Sequence, residues 1–159
     1  MKSKRDVLTL AAALAVPLAV GGLAAWLTAD NMRMYDVIIR PPLSPPAWLF
    51  PVVWTALYLL MGLASYLVYR SEASAFRKKR ALKFYAAQLV VNFIWPLIFF
   101  RLERYLAAFF CLALLTLLVL ICQVLFQHIN KTSGRIFTAY LFWCIFALYL
   151  NFGVYLLNQ

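Results

Sequence analysis

Amides and aromatic rings, not acids, bases or nucleophiles, are the side chains with chemistry to offer in the apolar part of this sequence. Gln88 and Asn92 stand four residues apart, Trp95 follows at three and Phe99 at four, so all four share one face of a helix. Tyr140, Trp143, Ala147 and Asn151 repeat the pattern at three, four and four. Trp54 and Tyr58, then Met61 or Gly62, give a third face. Ala147 and Gly62 are small and leave room beside the rings. One such stripe is what ordinary helix packing looks like. Three of them, turned toward one another, describe a pocket that is apolar, aromatic and sparsely hydrogen-bonding, and its natural guest is a flat, apolar molecule.

Other chemistries lack their residues. The one histidine, His128, sits near the end of an apolar run, so no Ser–His–Asp arrangement forms within the runs. The five acids, Asp6, Asp30, Asp36, Glu72 and Glu103, all fall in the N-terminus or in connections. That removes carboxylate pairs and the buried carboxylates of a proton-driven pump. Cys111, Cys122 and Cys144 lie inside apolar runs without a CxxC partner and read as small buried hydrophobes, not as a metal site or a disulfide framework. There is no glycine-rich phosphate loop. No cofactor is required by any of these residues, and any reaction would have to draw its chemistry from the ligand.

The elements that position these faces must cross a bilayer. The chain has 159 residues, 66% of them hydrophobic and 13% charged, far from the roughly 45–50% apolar and about 25% charged of soluble domains. Five apolar runs, at about 7–28, 47–69, 82–100, 105–126 and 136–157, approach the length a membrane helix needs. They predict one all-α membrane domain, a five-helix bundle over residues 1–159. The first run is too long for the core of a signal peptide and reads as an uncleaved helix kinked at Pro17. Its small residues Ala11, Ala15 and Ala19, then Gly21 and Ala25, suit close packing between membrane helices. The fourth run is nearly all leucine-like and reads as a lipid-facing or filler helix.

The net charge of +10 sits between the runs, which excludes a nucleic-acid face and suits contact with the lipid bilayer. Eleven basic residues (Lys2, Lys4, Arg5, Arg70, Arg77, Lys78, Lys79, Arg80, Lys83, Lys131 and Arg135) fall on the side of the N-terminus, against four (Arg33, Arg40, Arg101 and Arg104) on the other. The positive-inside rule then predicts a cytoplasmic N-terminus. The long connection, about 29–46, faces the opposite side. It runs into "RPPLSPPAWLFPVVW", Arg40 to Trp54, which holds five of the seven prolines. Ser44 is the expected N-cap of the second helix, with Pro45 in its first turn.

The stretches "RPPLSPP", "FPVVWTALYLLMG", "QLVVNFIW" with "FF" after it, and "YLFWCIFALYLNF" keep an order and spacing that resembles the TspO/MBR family, also called the translocator protein, tryptophan-rich sensory protein or peripheral benzodiazepine receptor family. The resemblance runs from about Tyr35 to Asn151. It implies a five-helix bundle, commonly dimeric, that binds porphyrins and in many members isoquinoline or benzodiazepine-type drugs; animal members also bind cholesterol. It implies a cavity among the helices lined by Trp54, Tyr58, Asn92, Phe99, Cys111, Trp143 and Ala147, with Tyr35 and Pro46 contributed by a lid formed by the connection. Some bacterial members are reported to degrade protoporphyrin in light through two cavity tryptophans, which match Trp54 and Trp143 here. The sequence departs from the family pattern at Met34 and Leu43, where lid tryptophans are usual, and at Pro96, at Phe109 or Phe110, and at Ala139. The loss of lid indoles bears on photochemistry more than on binding. No basic residue follows Phe152 or Tyr155, so the sterol motif is missing.

The leading expectation is therefore a multi-pass membrane protein, in a bacterial cell membrane, that senses or transports porphyrins or similar planar, drug-like ligands and forms a homodimer. A light- and oxygen-dependent porphyrin-degrading enzyme is one alternative. A regulatory or scaffold subunit of a membrane complex is another.

Overall fold

The computed structural model describes residues 4–159, and Lys2 of the basic tally lies outside them. Helix α1 (Lys4–Thr28) ends in a 3-10 turn (Ala29–Asn31) and is followed by the short α2 (Met34–Val37). Then come α3 (Leu49–Arg70), α4 (Ala75–Pro96) with a π-helical turn (Leu97–Arg101), α5 (Tyr105–Ile129) and α6 (Lys131–Leu157). Five of these, α1 and α4 each taken with its end turn, are long and apolar enough to cross a membrane, and the described residues contain no strand. The chain is an all-α, five-helix membrane protein.

The helices close a ring in the order α1, α3, α6, α5, α4, with α1 also against α4. With lipid outside, close approach and interhelical hydrogen bonds hold such a bundle together. Helix α5 shows the first. Leu112, Leu115, Val119, Cys122 and Phe126, spaced three or four apart, are all fully buried, while Leu114, Leu117 and Leu120 between them are exposed on the outside of the bundle. One residue, Asn130, separates α5 from α6, and its Oδ1 accepts from the Ser133 N–H at 3.0 Å to cap α6.

The basic ends gather at one end of the bundle. Arg70 at the end of α3 pairs with Asp6 at the start of α1 at 2.9 Å. Arg77 at the start of α4 donates to the His128 carbonyl at the end of α5 at 2.6 Å. At the other end, Tyr35 Oη donates to the Pro45 carbonyl at 2.9 Å within the long connection. Asn158 clamps that connection to the end of α6, accepting from the Ile39 N–H at 2.9 Å and donating to the Ile39 carbonyl at 2.8 Å. Tyr149 Oη adds a bond to the Pro42 carbonyl at 2.8 Å.

Three local expectations need correction. Ser44 does not cap α3 and Pro45 is not in its first turn: Ser44 Oγ turns back to the Pro41 carbonyl at 2.7 Å, and α3 begins at Leu49. The proline in the first turn is Pro51, where a missing N–H leaves nothing unsatisfied. Ala11, Ala15 and Ala19 do not pack into the bundle but are exposed on α1; the buried face is Pro17, Gly21, Ala24 and Thr28. Small residues mark close approach without saying which of two small-residue faces makes it.

Candidate functional site

Between α1, α3 and α4, in the half of the bundle nearer the long connection, lies a cavity of about 120 Å³. Trp54 and Tyr58 of α3 form one wall, and Asn92, Trp95, Pro96 and Phe100 of α4 and its π-turn another. Helix α1 supplies Gly21, Ala24, Ala25 and Thr28. The Trp54 ring lies 5.8 Å from Tyr58 and 6.2 Å from Trp95, tilted 31° and 32°, so three rings form a shallow aromatic surface. A second, smaller cavity of about 30 Å³ adjoins it under the connection, lined by Tyr35, Ser44, Phe99, Ala147 and Asn151 among others. Phe50, Trp95 and Phe100 line both and divide them.

The polar groups are few and nearly all tied. Tyr58 Oη donates to Asn92 Oδ1 at 2.7 Å, and Asn92 Nδ2 donates to Tyr140 Oη at 2.6 Å. Trp95 Nε1 donates to Asn151 Oδ1 at 3.0 Å, and Asn151 Nδ2 to the Tyr105 carbonyl at 2.8 Å. These bonds link α3, α4, α5 and α6, and they satisfy groups that hydrocarbon cannot. Trp143, beside Phe50, is different. Its indole N–H is sealed from solvent and has no partner among the described residues.

The expected site residues divide among three places. Trp54, Tyr58 and Asn92 meet at the larger cavity; Tyr35, Phe99 and Ala147 meet at the smaller one. Trp143, Cys111 and Pro46 line neither. Trp143 packs on Phe50 at 6.2 Å and Phe146 at 5.6 Å. Cys111 is half-buried against the Val91 carbonyl, and Pro46 is exposed at the head of α3, its carbonyl accepting from Leu49. Leu43 is 81% exposed and holds a left-handed φ of 66°, so it does not cover the cavity.

Sequence reasoning missed the contribution of α1, and of Phe50 and Phe100. Gly21, Ala24, Ala25 and Thr28 follow a helical repeat of three, one and three, a signal that was present but reads equally as packing. Gly21 is small because Tyr58 lies over it: a Cβ there would overlap the Tyr58 ring. Phe100 reaches the cavity through the π-turn. Pro96 has no N–H for the Asn92 carbonyl, the helix changes register after it, and Phe99 and Phe100 both turn inward, 4.9 Å apart.

Comparison with known proteins matches this arrangement to one family. A model of the TspO/MBR family matches residues 13–157. The tryptophan-rich sensory protein of Cereibacter sphaeroides is 37% identical over 151 residues, covering 95% of this chain and 90% of that protein. The tryptophan-rich protein TspO of Archaeoglobus fulgidus is 34% identical over 154 residues, covering 96% of this chain and 99% of that protein. The translocator protein of Ovis aries is 30% identical over 136 residues, covering 84% of this chain and 80% of that protein. With a family match over nearly its whole length and five helices fit to cross a bilayer, this chain belongs to the TspO/MBR family of integral, multi-pass membrane proteins.

Proposed function

We propose that the protein binds planar apolar ligands, porphyrins foremost, between its helices and beneath the connection at 29–46, and acts as a sensor or transporter for them. The observation that carries this reading is Phe50. Its ring stands between the two cavities, 5.3 Å from Tyr35 and 6.2 Å from Trp143. Two cavities of about 120 and 30 Å³ are too small for a porphyrin, since drug-sized ligands occupy roughly 300–1,000 Å³. Displacing Phe50 with the connection joins them. It also uncovers the Trp143 indole, whose unpartnered N–H then gains access to a ligand acceptor. The clamped connection is thus the closed form of a lid, and Trp143 joins Trp54 at the site when it opens. No cofactor is needed; the porphyrin is the ligand.

Protoporphyrin at micromolar concentration is expected to quench tryptophan emission of the detergent-solubilised protein. Trp54→Ala and Trp143→Ala should each weaken the apparent affinity severalfold. Absence of quenching in the unsubstituted protein would remove this reading.

Two further parts of the proposal concern placement. The charge asymmetry supports a cytoplasmic N-terminus, and the likeness to a bacterial relative supports a bacterial cell membrane. A C-terminal tag should then be labelled from outside intact cells, and labelling of an N-terminal tag alone would reverse the orientation. The exposed Ala11, Ala15 and Ala19 of α1 support a homodimer through that face. Ala15→Trp is expected to halve the detergent-corrected mass in solution, and an unchanged mass would exclude this face.

A further inference from the structure

A chain of four hydrogen bonds runs from the larger cavity into the bundle, and its far end determines what its near end can recognise. Tyr58 Oη donates to Asn92 Oδ1, Asn92 Nδ2 to Tyr140 Oη, Tyr140 Oη to Gln88 Oε1 at 3.1 Å, and Gln88 Nε2 to Met61 Sδ at 3.6 Å. Tyr58 and Asn92 line the cavity, whereas Tyr140, Gln88 and Met61 are buried behind them. A thioether sulfur accepts weakly and never donates. Gln88 therefore turns its NH₂ toward Met61 and leaves its carbonyl for Tyr140. Tyr140, having given its proton to Gln88, can only accept from Asn92. Asn92 then presents its carbonyl oxygen to Tyr58, which gives up its single proton to it. Each member's direction then follows from the sulfur, and the Tyr58 oxygen, its proton engaged by Asn92, has only lone pairs to offer a ligand in the cavity that Tyr58 lines.

Pro96 supplies a second acceptor beside the first. It carries no N–H, so the Asn92 main-chain carbonyl has lost its partner four residues on, and the Leu97 N–H bonds the Ile94 carbonyl instead. Both Asn92 and Pro96 line the cavity. Donors remain nearby in the second Asn92 amide N–H and the Trp54 indole, so the cavity as a whole is mixed. At the Tyr58 oxygen the polarity is fixed.

We infer that Tyr58 is a specificity-determining acceptor, with Asn92, Tyr140, Gln88 and Met61 as the positioning residues behind it. The cavity accordingly selects planar apolar molecules that carry a ring N–H or an O–H over isosteres that lack one. This rests on the reading of the cavity as a site for planar ligands and specifies which of them it takes.

Carbazole and dibenzofuran test it, being tricyclic, planar and nearly the same shape, with an N–H in one and an ether oxygen in the other. Their competition with protoporphyrin is measured on the full chain in one detergent, so that partition into micelles is common to all variants. Carbazole is expected to bind about tenfold more tightly, the effect of one well-placed hydrogen bond. Tyr58→Phe should bring the ratio to within about twofold. Met61→Asn places an amide Nδ2 at the same number of bonds from Cβ as the sulfur, able to donate to Gln88 Oε1, which allows the chain to run in reverse and turn the Tyr58 proton away from Asn92. There the preference should narrow or invert, a change that loss of packing alone does not produce. Equal affinities in the unsubstituted protein, or a ratio that Tyr58→Phe leaves unchanged, overturn the inference and leave the cavity reading standing. A ratio unchanged in Met61→Asn overturns the role of the sulfur. Failure of both tricycles and of protoporphyrin to bind removes the cavity reading and this inference with it.

Discussion

Gly62→Val is expected to destabilise the protein by about 2–3 kcal/mol and to abolish protoporphyrin quenching. A Cβ at Gly62 would stand 2.6 Å from the Ala13 carbonyl oxygen and 2.8 Å from the Leu14 Cα. Both are backbone atoms, so no side-chain rotation relieves the overlap and α1 must move away from α3. Helix α1 supplies Gly21, Ala24, Ala25 and Thr28 to the larger cavity, so the displacement opens that wall. Gly62→Ala should show a smaller loss in the same direction. Thermal unfolding in detergent, followed by helical circular dichroism, reads the first effect and porphyrin titration the second. An unchanged melting curve for Gly62→Val would show that the α1–α3 contact is looser than this geometry.

Asn92→Leu is expected to cost about 2–4 kcal/mol, more than the loss of one exposed hydrogen bond. Asn92 is 2% exposed and accepts from Tyr58 while donating to Tyr140. Leucine has a similar volume but leaves the Tyr58 proton without an acceptor and Tyr140 without a donor. Buried hydroxyls in an apolar bundle lose their full desolvation free energy when stranded. The network reading makes a second demand. Adding Tyr58→Phe and Tyr140→Phe to Asn92→Leu should recover part of the stability, because removing all partners is less damaging than removing one. Purely additive losses across the three substitutions would mean that the residues act independently.

The match between sequence and structure was best where periodicity carried the information. The three polar-aromatic stripes predict which faces turn inward, and Gln88, Asn92, Tyr140 and Asn151 are indeed buried and bonded to groups on neighbouring helices. Lipid leaves an amide no other way to be satisfied, so its position in the helical repeat fixes its direction. Where Cys111 and Trp143 would lie relative to the two cavities was not legible, for the opposite reason. A thiol or an indole can pack on lipid, on a neighbouring helix or on a ligand at little difference in free energy. Nothing in the residue type decides among them.

By itself the sequence determined the membrane class, the five crossings, the segregation of basic residues to one end and the family, because each depends on composition, run length or ordered motifs. Only the tertiary structure decided four things: that α1 faces the bundle through Gly21 and Ala24 and not through Ala11 and Ala15; that Pro96 leads into a π-turn bringing Phe99 and Phe100 inward together; that Phe50, with Trp95 and Phe100, stands between the two cavities; and that Asn158 ties the connection to the end of α6. Each of these is a choice among faces, registers or partners nearly equivalent in local propensity. Contacts between residues far apart in the chain, 119 positions apart for Ile39 and Asn158, made the choice.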